Sequence, residues 1–109
     1  MHFRRANEKL LLAVVDLVAG VGDARARVAR AYIQLRRLGP TDLPADLLDE
    51  WKSILTALTK FGPERDSDGK ILRGAIENTT KRIRNRTASE IARRIFALYR
   101  DVREASRNR

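Results

Sequence analysis

The sequence contains no cysteine, one histidine, one tryptophan and only six aromatic residues among its 109. Without cysteine there is no disulfide framework and no thiolate-bound zinc or iron–sulfur site. The single imidazole, His2, stands at the start of the chain, so no His–carboxylate pair has the spacing of a catalytic metal centre. The six glycines are scattered and none forms a phosphate-cradling loop. Adjacent carboxylates such as Asp49 and Glu50 would point to different sides of a helix, so they do not make an acid–base pair. These absences argue against an enzyme. They also lead us to expect neither a cofactor nor a bound metal.

Long hydrophobic runs are also scarce. The longest, Leu10 to Val21, is shorter than the roughly 18–20 residues needed to cross a bilayer. Behind Arg4, Arg5 and Lys9 it has the outline of a secretion signal, and Ala24-Arg25-Ala26 imitates a cleavage site. Asp16 inside the run and Glu8 before it contradict that reading. The stretch is better explained as a helix apolar on most sides, at the centre of the fold or in a homodimer interface. No membrane association is expected, and the cytoplasm is the expected location.

What the chain does have is positive charge. It carries 23 Lys and Arg against 14 Asp and Glu, a formal net charge of +9. The excess is uneven: residues 1–38 are net +5, residues 39–69 net −4, and residues 70–109 net +8. Eighteen of the basic residues are Arg, whose forked guanidinium suits phosphate and carboxylate better than Lys does. A GC-rich genome also raises Arg, so its abundance alone identifies no site.

Hydrophobic periodicity reads as helices throughout, with no strand-like alternation. A chain of this length forms one domain and buries a core without cross-links. We expect an all-α bundle of four to five amphipathic helices, residues 1–109 making a single helical domain. Residues 1–38 hold the apolar first helix, about 3–19, and a basic second helix. Gly20 and Gly22 break between them and Asp23 caps the second; one long helix bent at the glycines is the competing reading. Arg27, Arg30, Gln34 and Arg37 share one face of the second helix, which Gly39-Pro40 ends. Residues 44–61 hold an acidic amphipathic helix with Pro44 in its first turn and Leu47, Leu48, Trp51, Ile54, Leu55, Leu58 and Phe61 as its stripe. Residues 70–105 hold two basic helices. The first shows Leu72, Ile76, Thr79 and Ile83 on one face, with Glu77 placed to pair with Arg73 and Lys81. A turn at Asn85-Arg86 and the capping box Thr87-Ala88-Ser89-Glu90 introduce the second. Its inner stripe is Ala88, Ile91, Ile95, Leu98, Tyr99 and Val102, and it should fray near Ala105.

Two motifs invite a specific function and fall short of it. Glu64 to Ile71 has the alternating acids and the glycine of a calcium loop, but Ala75 stands where the bidentate Glu belongs. Asp66 or Ser67 capping the next helix is the better expectation, with Gly69 in a turn. Thr87 to Arg94 opens like a helix-turn-helix, yet Ile95 to Tyr99 continue the same helix. Alternatively Thr87 begins a recognition helix supported by residues 70–84, which the short turn at Asn85-Arg86 permits.

The remaining signal is the basic C-terminal third. Lys81, Arg82, Arg84 and Arg86 crowd one turn, and Arg93, Arg100 and Arg107 recur every seven residues with Arg103 beside them. With Arg73, the set Arg73, Lys81, Arg82, Arg84, Arg86, Arg93 and Arg100 is the expected contact for nucleic acid or another polyanion, and Phe96 is placed to stack on a base. The expected function is that of a small non-catalytic binding protein. The alternative is a protein-interaction module, either a homodimer or a regulator docking on an acidic protein surface, without nucleic-acid binding.

Overall fold

The computed structural model describes residues 3–108, so His2 lies outside the described residues. The described residues form five α-helices, two short 3₁₀ turns and one two-stranded hairpin. The all-α bundle is as expected; the hairpin is not.

Helix α1 (Arg4–Ala19) stops at Gly20, whose backbone turns extended while its N–H still donates to the Asp16 carbonyl at 3.0 Å. A Cβ at Gly20 would run into that same carbonyl and the Arg30 guanidinium. Gly22, at φ +98°, reverses the chain in a conformation that L side chains rarely adopt. The two glycines therefore make a sharp corner between α1 and α2 (Ala24–Leu35), and the single bent helix is ruled out. Asp23 caps α2 as expected, its Oδ1 accepting the Ala26 N–H at 3.0 Å. That bond, followed by the nearby Arg25, holds the Asp23 carboxyl below its ordinary range.

Leu38 and Leu43 stay buried after α2 ends, and short 3₁₀ turns at Pro40–Asp42 and Ala45–Leu47 lead into α3 (Leu48–Leu58). Pro44 thus precedes a 3₁₀ turn rather than sitting in the first turn of α3. Phe61, expected in the α3 stripe, lies three residues beyond the helix and is exposed.

Residues 64–73 depart most from the sequence reading. Strands β1 (Glu64–Arg65) and β2 (Ile71–Arg73) pair antiparallel, so Lys70, Leu72 and Arg73 are not helical. The cause is local. Asp66 Oδ1 accepts the N–H groups of Asp68 and Lys70, both at 2.9 Å, and Gly69 supplies a positive φ. Asp66 closes its own loop instead of capping a helix, and Arg73 pairs across the hairpin with Glu64 rather than with Glu77.

Helix α4 (Ala75–Arg82) is short; Ile76 and Ile83 pack partly buried against the core as expected, Leu72 is exposed outside the helix, and Asn78, Thr79 and Thr80 are buried. These three are satisfied: Thr79 Oγ1 accepts the Phe61 N–H at 3.1 Å, and Asn78 Nδ2 donates to the Gly62 carbonyl at 3.0 Å. The turn to α5 falls at Ile83–Arg84, and α5 runs from Asn85 to Arg107. The Thr87–Glu90 capping box is not used, because the helix has already begun. The Asn85 side chain instead accepts the free Arg25 N–H at the start of α2, at 3.4 Å. At the other end α5 does not fray near Ala105. Ser106 Oγ donates to the Val102 carbonyl at 3.0 Å and takes a hydrogen bond from Asn7 Nδ2 at 2.6 Å.

Helix α5 is the spine. Helices α1, α2 and α3 pack along it, while α4 rests on α2 and α3. Leu10, Val28, Leu35, Ile54, Leu58, Ile95, Leu98 and Val102 are fully buried between them. Each aliphatic side chain so buried contributes about 1.5–3 kcal/mol. Trp51 joins this core with its indole N–H donating to the Leu35 carbonyl at 3.1 Å, which ties α3 to the end of α2.

Candidate functional site

A formal charge count treats every arginine alike; their surroundings do not. Arg27 reaches back to the Gly22 and Leu17 carbonyls at 3.0 and 3.3 Å, and Arg30 donates to the Val21 carbonyl. Both therefore fasten the α1–α2 corner, and Arg27 supplies a cation where the α1 dipole is negative. Arg94 forks onto Glu50 at 2.8 and 3.1 Å and also reaches Ser53 Oγ at 2.8 Å, joining α5 to α3. That bidentate bond is the main reason the Glu50 carboxyl sits below its ordinary range and the Arg94 guanidinium above its own. Glu50 is thus a structural anchor within what reads in the sequence as a solvated acidic face.

The predicted polyanion residues divide into three places. Arg73 is in the hairpin, paired with Glu64. Lys81, Arg82, Arg84 and Arg86 surround the α4–α5 turn. There Arg82 donates to Asn78 Oδ1 at 3.1 Å and lies over the exposed Phe61 ring, and Arg86 stands 3.7 Å from Glu90. Arg93, Phe96 and Arg100 lie together farther along α5, on the flank facing α1. The helix-turn-helix pairing is not formed, since α4 packs on α2 and α3 rather than against α5.

The third place is the one with shape. Helices α1 and α5 run antiparallel, with Asn7 beside Ser106 at one end and Leu17 near Ala92 at the other. Between them is a groove of about 430 Å³, floored by Val14, Leu17, Val18, Ala92, Phe96 and Ala97 and edged by Arg93 and Arg100. Toward the chain ends a second hollow of about 410 Å³ continues along the same seam, past Leu11 and Tyr99 to Arg103 and Arg107. The apolar floor is open to solvent: Val18 is 74% and Phe96 50% exposed, with Leu11, Leu12 and Val15 also exposed on α1. Phe96 therefore belongs to the surface, where its ring leans on Tyr99 at 6.5 Å.

The sequence does signal this surface, through an apolar run in α1 too broad for one helix face to bury. It does not say which residues stay uncovered. Val14 and Val18 become part of a site only because α5 sets Phe96 and Arg93 beside them.

Among the described residues, no group of three or more His, Asp or Glu is placed to hold a metal ion. Nor is any helix among them long and apolar enough to cross a membrane. The chain matches none of the protein-family models, curated proteins or solved structures with which it was compared.

Proposed function

We propose that this is a non-catalytic docking protein, which holds a protein partner along the α1–α5 seam. The observation that carries this is the exposed groove with an apolar floor and an arginine edge. A contiguous exposed apolar patch is unfavourable in water and on soluble proteins marks an interaction surface. Phosphate binding would account for the arginines but needs no valine floor.

The test is a photo-crosslinking amino acid at Val18, on the groove floor, or at Lys52, on exposed α3, introduced in the native host. The reading expects a discrete protein adduct from Val18 and none from Lys52. Adducts to nucleic acid alone, or no adduct at Val18, would overturn it.

A second reading, phosphate binding, is favoured by one observation. Arg86, Arg93, Arg100 and Arg107 recur every seven residues, about 10.5 Å apart along α5. This row is partly neutralised by its own helix, through Glu90 beside Arg86 and Asp101 3.5 Å from Arg100. Duplex DNA and single-stranded RNA in a mobility-shift assay at low salt would test it. Binding that weakens steeply with salt supports it, and no shift at micromolar protein removes it.

A further inference from the structure

We infer that the occupant of the α1–α5 groove is an amphipathic helix of another protein, with an acidic flank that meets the α5 arginines. This rests on the docking reading above and names the chemistry of the partner.

Shape comes first. Two antiparallel helices leave a straight furrow between them, and a third helix fills such a furrow by setting its apolar ridge into it. From Asn7 to Val18 the seam follows twelve residues of α1, about 16 Å end to end, or three turns of an incoming helix. An apolar series at i, i+3 or i+4, and i+7 on that helix would meet the Leu11–Tyr99 hollow and then the Val14–Val18–Phe96 groove in turn.

Charge then selects the partner. The α5 edge of the seam presents Arg93, Arg100, Arg103 and Arg107. Among the described residues none of the four pairs with a carboxylate on another element: Arg100 meets only its neighbour Asp101, and Arg103 reaches the Tyr99 hydroxyl. Arg94, one residue away on the opposite flank, is by contrast fully engaged by Glu50. A second copy docked face to face through the same seam does not supply the missing acids. The exposed α1 face offers one carboxylate near the seam, Glu8, and Arg4 already holds it at 3.1 Å. Two copies face to face would bring two arginine edges together, which like-charge repulsion disfavours. An amphipathic helix lined with Asp or Glu satisfies both the floor and the edge.

The probe is a labelled helical peptide of about 18 residues, five turns, with Leu on one stripe and Glu on its flanks. Its counterpart has Lys at every Glu. Fluorescence anisotropy at low salt should show the Glu peptide binding roughly tenfold or more tighter than the Lys peptide. Val18→Asp should weaken the Glu peptide by a similar factor while lowering the melting temperature only slightly, because Val18 is exposed and the new acid meets only the dipole at the end of α1. The double variant Arg93→Glu/Arg100→Glu should invert the preference, and Lys52→Glu on α3 should change nothing. Equal affinity for the two peptides, binding to neither, or binding indifferent to Val18→Asp would each overturn the inference. So would a wild-type dimer in sedimentation that Val18→Asp converts to monomer. That last result names a second copy as occupant and leaves the docking reading standing, whereas a failed Val18 crosslink removes both.

Discussion

Arg93 and Arg94 are neighbours in sequence and opposites in role. Arg94 turns toward α3, where Glu50 and Ser53 use its donors, and that flank of α5 is a finished internal seam. Arg93 turns toward α1, where it borders an apolar groove that none of the described residues covers. One helix thus has a side engaged within the fold and a side open to solvent. The contrast teaches that a net charge of +9 is not a map of binding capacity. Arg27, Arg30, Arg73 and Arg94 are engaged by other parts of the fold, whereas Arg100 and Arg103 along the seam meet only partners on their own helix.

The comparison is broken most forcefully at residues 95 and 96. Ile95 is fully buried and Phe96 half exposed. Ile95→Ala should cost about 2–5 kcal/mol of stability, the usual range for a large-to-small change in a core. Phe96→Ala should cost less than about 1 kcal/mol but impair docking. Chemical denaturation of both variants checks this; equal losses would mean that Phe96 is structural and the groove is not a surface.

A smaller effect separates the two arginines themselves. The Arg94–Glu50 pair is partly exposed, so Arg94→Ala should cost only about 0.5–1 kcal/mol. Arg93→Ala should stay within about 0.5 kcal/mol of wild type. A shift in urea midpoint for Arg93→Ala as large as that for Arg94→Ala would erase the distinction.

The finest effect is acid sensitivity. The Glu50 carboxyl titrates lower in the folded protein than in the unfolded chain, because Arg94 bonds its charged form. The stability it contributes is therefore complete above the unfolded value, near pH ~4.3, and is lost as pH falls through the lower folded value. Glu50→Gln should be less stable than wild type at neutral pH and should lose less on acidification. Identical urea midpoints against pH for the two proteins would deny the pair any energetic role.

Most of the helical frame is legible from residue spacing. The apolar breadth of α1, the stripes of α3 and α5, the Asp23 cap and the break at Gly20–Gly22 follow from local rules that act within a few residues, whereas α2 ends at Leu35, before Gly39-Pro40, and leaves Arg37 outside the helix. The hairpin does not, because strands of two and three residues are too short to show alternation. Thr79 reads as one polar place in an apolar stripe, yet it is buried beside Asn78 and Thr80 to receive the Phe61 N–H, a bond 18 residues away in sequence. The Asn85 side chain, at the start of α5, is used to accept an N–H at the start of α2, from Arg25 60 residues away. The candidate site was half legible. Arg93, Phe96 and Arg100 share a flank by helical spacing alone, but their valine floor comes from α1, more than 70 residues earlier. The Glu50–Arg94 anchor likewise spans 44 residues.

The finished and the open flanks of α5 should differ in what they bind. Backbone amide shifts of ¹⁵N-labelled protein during titration with the Glu-flanked peptide test this directly. The largest changes should fall on Val14, Val18, Arg93, Phe96 and Ala97, with Glu50, Ser53 and the Lys81–Arg86 turn undisturbed. Changes centred on the Lys81–Arg86 turn, or on the Glu50–Arg94 flank, would contradict it.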